Sequence, residues 1–193
     1  MKGLTNGDYQ VNGTPGGTYS GSTGGYVAWY WKAGGSKGTW NKDGKAYASA
    51  AAAGLDGGST SPTGASVGTK QGFSILRWTA TGNNLTISHG LTQAPELVIL
   101  KNTSITSNWF TYHSGLNKGV DPEDYYVYID ESATETNDAT AWQDTKPSST
   151  LLTIGANYNI ANTGNIIMAY CWHLSLIHIS EPTRLGMISY AVF

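Results

Sequence analysis

Short apolar runs alternate with turn residues between residues 72 and 173. The runs read GFSILRWTA, LTISH, ELVILKN, NWFTYH, YYVYID, STLLTIG and NIIMAYCW. Each carries β-branched or aromatic residues in a pattern that suits strands with one face in a core. Gly, Asn, Asp and Pro separate the runs, and no helical period occurs between them. The pattern predicts an all-β fold, an antiparallel β-sandwich.

The side-chain period of two assigns residues to the two faces of each predicted strand. In the first run, Ile75 and Arg77 share one face, while Leu76 and Trp78 share the other. A jelly-roll or concanavalin-like arrangement of such strands is the expected architecture. The polar stretch from residue 130 to 147 is expected to be a surface loop.

The chain before these runs has a different composition. Residues 1–25 are rich in Gly and Asn-Gly pairs, which favour turns, so a poorly structured Gly/Ser-rich N-terminal region is predicted. The run YVAWYW at residues 26–31 predicts a strand. Residues 33–71 return to Gly, Ser, Ala and Thr and are interpreted as a linker. Within it, NKDGK predicts a turn, and the Ala-rich stretch 46–53 predicts a marginal helix that ends at Gly54.

Two segments of the chain resemble each other. YVAWYWK near the N-terminus and IMAYCWH near residue 170 both carry an Ala, an aromatic residue directly after it, and a Trp two residues later. One interpretation is a tandem array, in which both are closing strands of successive copies. Residues 1–32 would then end a preceding repeat, 33–71 would link the copies, and 72–173 would form a complete repeat. The alternative is chance similarity between two strand-like strings.

The last segment, residues 174–193, resembles translated laboratory DNA. LSLIHISEPTR reads as an in-frame translation of a transposase-based sequencing adapter, and ISYAVF matches the flow-cell end of the same adapter. Between them lie three residues, the length of a sample index. We therefore interpret the segment as an adapter-derived artefact and exclude it from functional arguments. The alternative is a natural apolar C-terminal strand.

The bulk composition narrows the classes of function. Charged residues make up 12% of the chain and the net charge is −2, so the sequence lacks the excess of basic residues that binding to nucleic acid or anionic membranes requires. No apolar stretch is long enough to predict a membrane span. The low charge and many Gly, Ser, Thr and Asn residues suit extracellular or virion surfaces. Cys171 is the single cysteine, which excludes an intrachain disulfide, and its apolar run predicts a buried, inert thiol.

A family resemblance covers about residues 72 to 173. The string GFSILRWTATGNNLTISHGLTQAPELVILKN, followed by NWFTYH, a later AW and TIGANYNIANTGNIIMAYCWH, resembles a repeated domain of marine bacteriophage virion proteins. Proteins with this domain are often described as tail fibre or structural proteins. The resemblance implies a β-rich virion component in a multimeric fibre, and it carries over no catalytic residues. The stretch TATGNN departs from the family's tighter, glycine-richer turn.

Aromatic residues are the first candidates for ligand binding. Trp109, Tyr112 and Trp142 are hypothesised to stack on the sugar rings of a host glycan. The alternative is core packing, which aromatic residues commonly do in β-sandwiches. Alternation places Trp109 on one face of its strand, with Phe110 and Tyr112 on the other.

Carboxylates and histidines are the other candidates. Asp121, Glu123 and Asp124 flank a predicted strand and are hypothesised to form a weak calcium site, although the calcium-loop pattern DxDxDG is absent. Solvated loop charge is the alternative, and a glycosidic acid–base pair is a third interpretation. His89 precedes Gly90 in SHGL, where a turn with an imidazole bonded to the backbone is favoured over a metal ligand or base.

These observations predict a non-enzymatic structural and adhesive module of a phage tail fibre or virion protein, located in the virion. No cofactor beyond weak calcium is expected. The expected partners are other virion or tail proteins and host surface glycans, in a homo-oligomer, most simply a trimer, with no nucleic acid and no membrane. A secreted bacterial carbohydrate-binding or adhesin module at the cell surface is the alternative, and a polysaccharide depolymerase is a third class.

Overall fold

The computed structural model describes residues 31–36, 38–156 and 158–173, without the side chains of residues 158 and 159. Its eleven strands are β1 Trp40–Lys42, β2 Lys45–Tyr47, β3 Gly64–Gly68, β4 Phe73–Thr79, β5 Leu85–Ser88, β6 Leu97–Asn102, β7 Phe110–His113, β8 Tyr125–Tyr128, β9 Thr136–Asn137, β10 Leu151–Ile154 and β11 Ile166–Trp172. The helical elements are α1 Tyr158–Ala161 and 3-10 turns at Ala51–Ala53, Leu116–Gly119 and Pro122–Asp124. The all-β prediction is confirmed.

The strands form one large sheet and one small sheet. The large sheet has nine strands in the order β2-β1-β3-β4-β11-β6-β7-β8-β9, and the small sheet pairs β10 with β5. Strand β1 runs parallel to β3, while all other pairs are antiparallel, so the large sheet is mixed. The strands are thus divided unequally between the two sheets. All seven runs singled out in the sequence from residue 72 onward contain a strand.

Strand β11 lies in the middle of the large sheet. It pairs with β4 on one side and β6 on the other, so that Ala169 lies opposite both Leu76 and Leu100. A central strand has all its backbone groups in ladder hydrogen bonds and both side-chain faces flanked by neighbours. The strand that closes the described chain therefore holds together the two halves of the sheet.

The core lies between the large sheet and the small one. On β11, alternation buries Ile167, Ala169 and Cys171, each with no exposed surface. Strands of both sheets contribute to one hydrophobic cluster, whose strand members include Leu76, Trp78, Val98, Leu100, Phe110, Tyr112, Leu85, Ile87, Leu152 and Ile154. The face of the large sheet that carries these residues is called the inner face below. The arrangement is sandwich-like, with the small sheet covering part of that inner face.

The interpretation of residues 33–71 as a linker is wrong for the part that contains β1, β2 and β3. These strands extend the large sheet, and Val67 is completely buried in the core cluster. The predicted turn at NKDGK does form, with Asp43 at φ 50° and Gly44 at φ 86°, the two positive angles of a tight hairpin turn. In the Ala-rich stretch only Ala51–Ala53 is helical, as one 3-10 turn that ends at Gly54.

Both chain ends carry predictions that lie outside the described residues. These are the Gly-rich start, most of the predicted strand at residues 26–31, and the adapter-like segment 174–193. The tandem-repeat interpretation likewise stays a prediction.

Replacing Val67 tests whether the segment before residue 72 belongs to the folded domain. We expect Val67→Ala to lower the free energy of unfolding by about 2 kcal/mol, because two buried methyl groups are lost and a cavity remains. The matched control is Val120→Ala, because Val120 is 61% exposed and should change stability by less than about 0.5 kcal/mol. Urea denaturation measures both, and equal effects would contradict the placement of β3 in the core.

Candidate functional site

Two of the three aromatic residues predicted to bind a glycan are core residues. Trp142 is 2% exposed and Tyr112 is 3% exposed. The Trp142 indole donates a hydrogen bond from Nε1 to the carbonyl oxygen of Tyr125 at 3.1 Å, and its ring lies 5.6 Å from that of Tyr112 in an edge-to-face contact. Desolvation raises the pKa of the Tyr112 hydroxyl to about 12. The ligand-binding prediction for these two residues is wrong, because the inner face needs large side chains where no strand covers it.

Trp109 lies on the opposite face of the large sheet, which is called the outer face below. Its side chain is partly exposed, as the alternation with the buried Phe110 requires. Its backbone N–H donates to Oδ1 of Asp130 at 3.0 Å, which fixes the start of β7. The Lys101 ammonium lies 5.5 Å from its ring centroid, within the range of a cation–π contact.

Trp109 is one end of a continuous line of rings on the outer face, called the aromatic strip. Centroid distances along the strip are 6.1 Å from Trp109 to Tyr170, 6.4 Å from Tyr170 to Trp172, and 4.7 Å from Trp172 to Phe73. Trp31 completes it, 5.5 Å from Trp172 in an edge-to-face contact. The Tyr170 and Trp172 ring planes are 24° apart. Four strip residues are partly or fully exposed, and Phe73 is buried beneath its neighbours.

The alternation of β11 creates the strip. Tyr170 and Trp172 point outward because Ala169 and Cys171 point into the core. Antiparallel pairing with β4 then places Phe73 directly beside Trp172. Sequence reasoning missed Tyr170 and Trp172, because the whole run was read as strand without assigning its two faces. The sequence does contain a pattern that separates the two faces of this run. Met168, Tyr170 and Trp172 are large, whereas Ala169 and Cys171 between them are small.

Aliphatic, cationic and uncharged polar residues share the outer face near the strip, with Thr111 opposite Ile99 and Ser66 opposite Ile75. Half-buried aliphatic side chains occupy Ile75, Leu97, Ile99 and Met168. Met168 lies in register between Arg77 on β4 and Lys101 on β6. The strands β3, β4, β6, β7, β8 and β11 contain no aspartate or glutamate.

An open depression of about 220 Å³ adjoins this part of the outer face. Its lining includes Gly64 and Ser66 of β3, Arg77 of β4 and Met168 of β11. The small residues on β3 leave this space, since Gly64 lies directly opposite Arg77 in the ladder. The outer face therefore combines ring faces, aliphatic surface and one concave region.

The predicted calcium ligands lie in a cluster of carboxylates, and calcium binding by them stays a prediction. Asp121 is exposed, whereas Glu123 is buried and forms an ion pair with Lys146, at 3.6 Å between Oε1 and Nζ. Desolvation, and then repulsion from Asp144 and the other two carboxylates, raises the pKa of Asp124. In the described part of the chain, no group of three or more His, Cys, Asp or Glu side chains is arranged to hold a metal ion.

His89 has the structural role that the sequence favours. It is completely buried, its Nδ1 accepts from the Leu91 N–H at 3.2 Å, and its Nε2 lies 3.1 Å from the carbonyl oxygen of Ser148. Because Nδ1 accepts, Nε2 must carry the proton and donate. Gly90 follows at φ 74°, and a Cβ there would approach Leu55 to 2.8 Å. Burial lowers the pKa of His89 to about 4, so the neutral ring is a bridge between loops.

Cys171 is confirmed as a buried thiol. It has no exposed surface, and burial raises the pKa of its thiol to about 12. A neutral, enclosed thiol is unreactive as a nucleophile.

The burial of His89 predicts an acid-labile domain. The folded-state pKa lies below the unfolded value, so the unfolded chain binds more protons between about pH 6.5 and pH 4. The free energy of unfolding should therefore fall as the pH is lowered from about 6.5 to about 4. His89 alone should account for roughly 3 kcal/mol of that loss. Urea midpoints at several pH values measure the slope. The variant His89→Gln should flatten it, whereas His113→Gln, at an exposed position, should not; an unchanged slope in His89→Gln would contradict the assignment.

The carboxylate cluster predicts a stabilising substitution. Because the Asp124 pKa is raised, its charged form is disfavoured in the folded state, and this penalty is present above the raised pKa. Asp124→Asn should therefore raise the melting temperature at pH 7 in the presence of EDTA, with an advantage that shrinks as the pH falls through the carboxyl range. Differential scanning calorimetry measures both. If Asp124→Asn instead melts at a lower temperature than the parent at pH 7, and does so only when calcium is present, the result would support a cation held by Asp124.

Comparison with known protein families matches most of the chain. Residues 2–175 match the family described as Domain of unknown function (DUF7483), and this range includes β1 to β11. No curated protein matches the chain, and no solved structure matches it. Among the described residues, none of the helices has the length and apolar character that crossing a membrane requires. The chain thus belongs to the family described as Domain of unknown function (DUF7483).

Proposed function

We propose that this chain is a non-catalytic structural and adhesive module of a phage tail fibre or another virion protein, and that its outer face contacts glycans on a host surface. The aromatic strip is the observation that carries the proposal. Three of its rings, Phe73, Tyr170 and Trp172, lie on the central strands β4 and β11 of the large sheet, on the face opposite the small sheet. Partly exposed rings in contact with each other are an unusual use of a sheet face in a protein of low charge.

The chemistry of the strip suits sugar rings. One face of a pyranose presents C–H groups, which pack on an aromatic face, while the hydroxyl groups at its rim stay hydrated or hydrogen-bonded. The strip residues contact each other, and Phe73, Tyr170 and Trp172 are held on β4 and β11, so these rings have little side-chain freedom to lose on binding. Rigid rings on a rigid sheet are thus a pre-organised surface for an extended, flat ligand.

The resemblance to marine bacteriophage virion proteins supports the biological setting. In a fibre, other virion proteins and further copies of this chain would be the partners, most simply in a homotrimer. Several weak glycan contacts on one fibre then combine, because each contact after the first occurs at high effective concentration. Weak binding by a single domain is sufficient for such an attachment module.

Removal of one strip residue tests the proposal. We expect the isolated chain to bind at least one polysaccharide on a glycan array, and Trp172→Ala or Trp109→Ala to weaken that binding roughly tenfold through the lost ring contact. Val120→Ala, at an exposed loop position, is the control and should bind as the parent does. Circular dichroism checks that each variant is folded. Binding that survives in both tryptophan variants would contradict a role for the strip.

A further inference from the structure

We propose that the outer face is selective for acidic polysaccharides, with Arg77 as the residue that pairs with their carboxylate groups. This inference rests on the proposed function, because it requires the aromatic strip to be the surface that contacts the glycan. It adds the chemical class of the ligand and a specificity residue outside the strip.

The two cations on the strands of the face, Arg77 and Lys101, lie beside the strip and form no ion pair with a described carboxylate. Arg77 and Lys101 lie on either side of Met168, two strand spacings apart, or about 10 Å. Arg77 is exposed, and its guanidinium makes no ion pair or hydrogen bond with the described residues. Lys101 donates to the carbonyl oxygen of Ser107 and lies over Trp109, and it has no ion pair with a described carboxylate.

The sign of the charge on this face differs from that of the chain. The net charge of the whole chain is −2, but the strands that form the face carry no acidic residue. The acidic residues next to the face include Asp130 and Glu131 after β8, which bond the Trp109 backbone and the Asn108 side chain. They also include Glu96, which directly precedes β6 and whose backbone N–H donates to the carbonyl oxygen of Trp172. The centre of the face is therefore apolar and locally positive, and an anionic ligand complements it.

The depression beside Arg77 leaves room for a ligand group to reach the guanidinium. Gly64 and Ser66 are small, so a ligand group can approach the guanidinium from the β3 side. The planar guanidinium offers paired N–H donors that match the two oxygens of a carboxylate. A uronic acid whose ring stacks on the strip would thus place its carboxylate toward Arg77.

Two other occupants fit the face less well. A second copy of the chain placed face to face would bring Arg77 and Lys101 of both copies together with no acidic residue between them. Single-stranded nucleic acid requires a track of basic residues along its backbone, and the strands β3, β4, β6, β7 and β11 offer Arg77 and Lys101 alone. A carboxylated polysaccharide requires rings and a few spaced cations, as the face provides.

A matched pair of polymers tests the inference. Polygalacturonate and its fully methyl-esterified form share a backbone and differ in charge. Isothermal titration calorimetry with the whole chain should show binding to polygalacturonate that is at least about tenfold tighter than to the ester, and that weakens as NaCl is added. Arg77→Gln should lower affinity for polygalacturonate about tenfold and leave the ester unaffected. Lys118→Gln, the same charge change at an exposed position off the strands, is the matched control.

The outcomes separate this inference from the proposed function. Suppose that both polymers bind equally, that Arg77→Gln changes neither affinity, and that Trp172→Ala lowers both. That result would overturn the acidic preference and leave the proposed glycan binding in place. Failure to bind either polymer, or any neutral glycan, would overturn both proposals. Tighter binding of dextran sulfate would identify sulfate as the recognised group in place of carboxylate. Binding of oligo(dT) that is tighter than binding of polygalacturonate would overturn the inference. A dimer in sedimentation that Trp172→Ala dissociates, together with no binding of any polysaccharide, would also overturn it.

Discussion

The pairing of β11 between β4 and β6 is the constraint on which the rest of the structure depends. Because β11 occupies the middle of the large sheet, its pleat decides the character of both faces. Small and medium side chains at Ala169 and Cys171 allow the inner face to pack closely, while Tyr170 and Trp172 are placed outside. A shift of one residue in this register would bring two large rings into the core and place the core residues in solvent. The register is therefore fixed by packing on one side and creates the candidate site on the other.

The unequal division of strands explains why some aromatic residues are buried. The small sheet has two strands and covers only part of the inner face. The segment after β9 therefore packs Ala141 and Trp142 against Phe110 and Tyr112, and the Trp142 indole nitrogen finds a backbone carbonyl. A large ring fills the space that another strand would have filled, and a hydrogen bond satisfies its one polar atom. The polar stretch from residue 130 to 147 thus contains a core element as well as surface loop.

The strands from β4 onward could be predicted from the sequence, because each combines β-forming residues with clear turn residues at its ends. The strands β1 to β3 could not, because GASVG and KAY contain mostly small or polar residues and are strands only through their neighbours. Alternation separated Trp109 from Phe110 and Tyr112, but it did not show which of the two faces is exposed. The strip was not predicted, because it depends on which strands are adjacent: Phe73 and Trp172 are far apart in sequence and meet only through the β4–β11 ladder. The misassignment of Trp142 has the same cause, since no local pattern shows where a small sheet leaves the core uncovered.

The central claim is that one face of the large sheet binds a ligand while the other is a closed core, and the indole N–H signals of the tryptophans report on both faces at once. In a two-dimensional ¹H–¹⁵N NMR titration with polygalacturonate, the account predicts that the signals of Trp31, Trp109 and Trp172 shift progressively. The signals of Trp78 and Trp142, which are buried in the core, should stay in place. Shifts confined to Trp78 and Trp142, or no shift at any indole in the presence of measurable binding, would contradict the account.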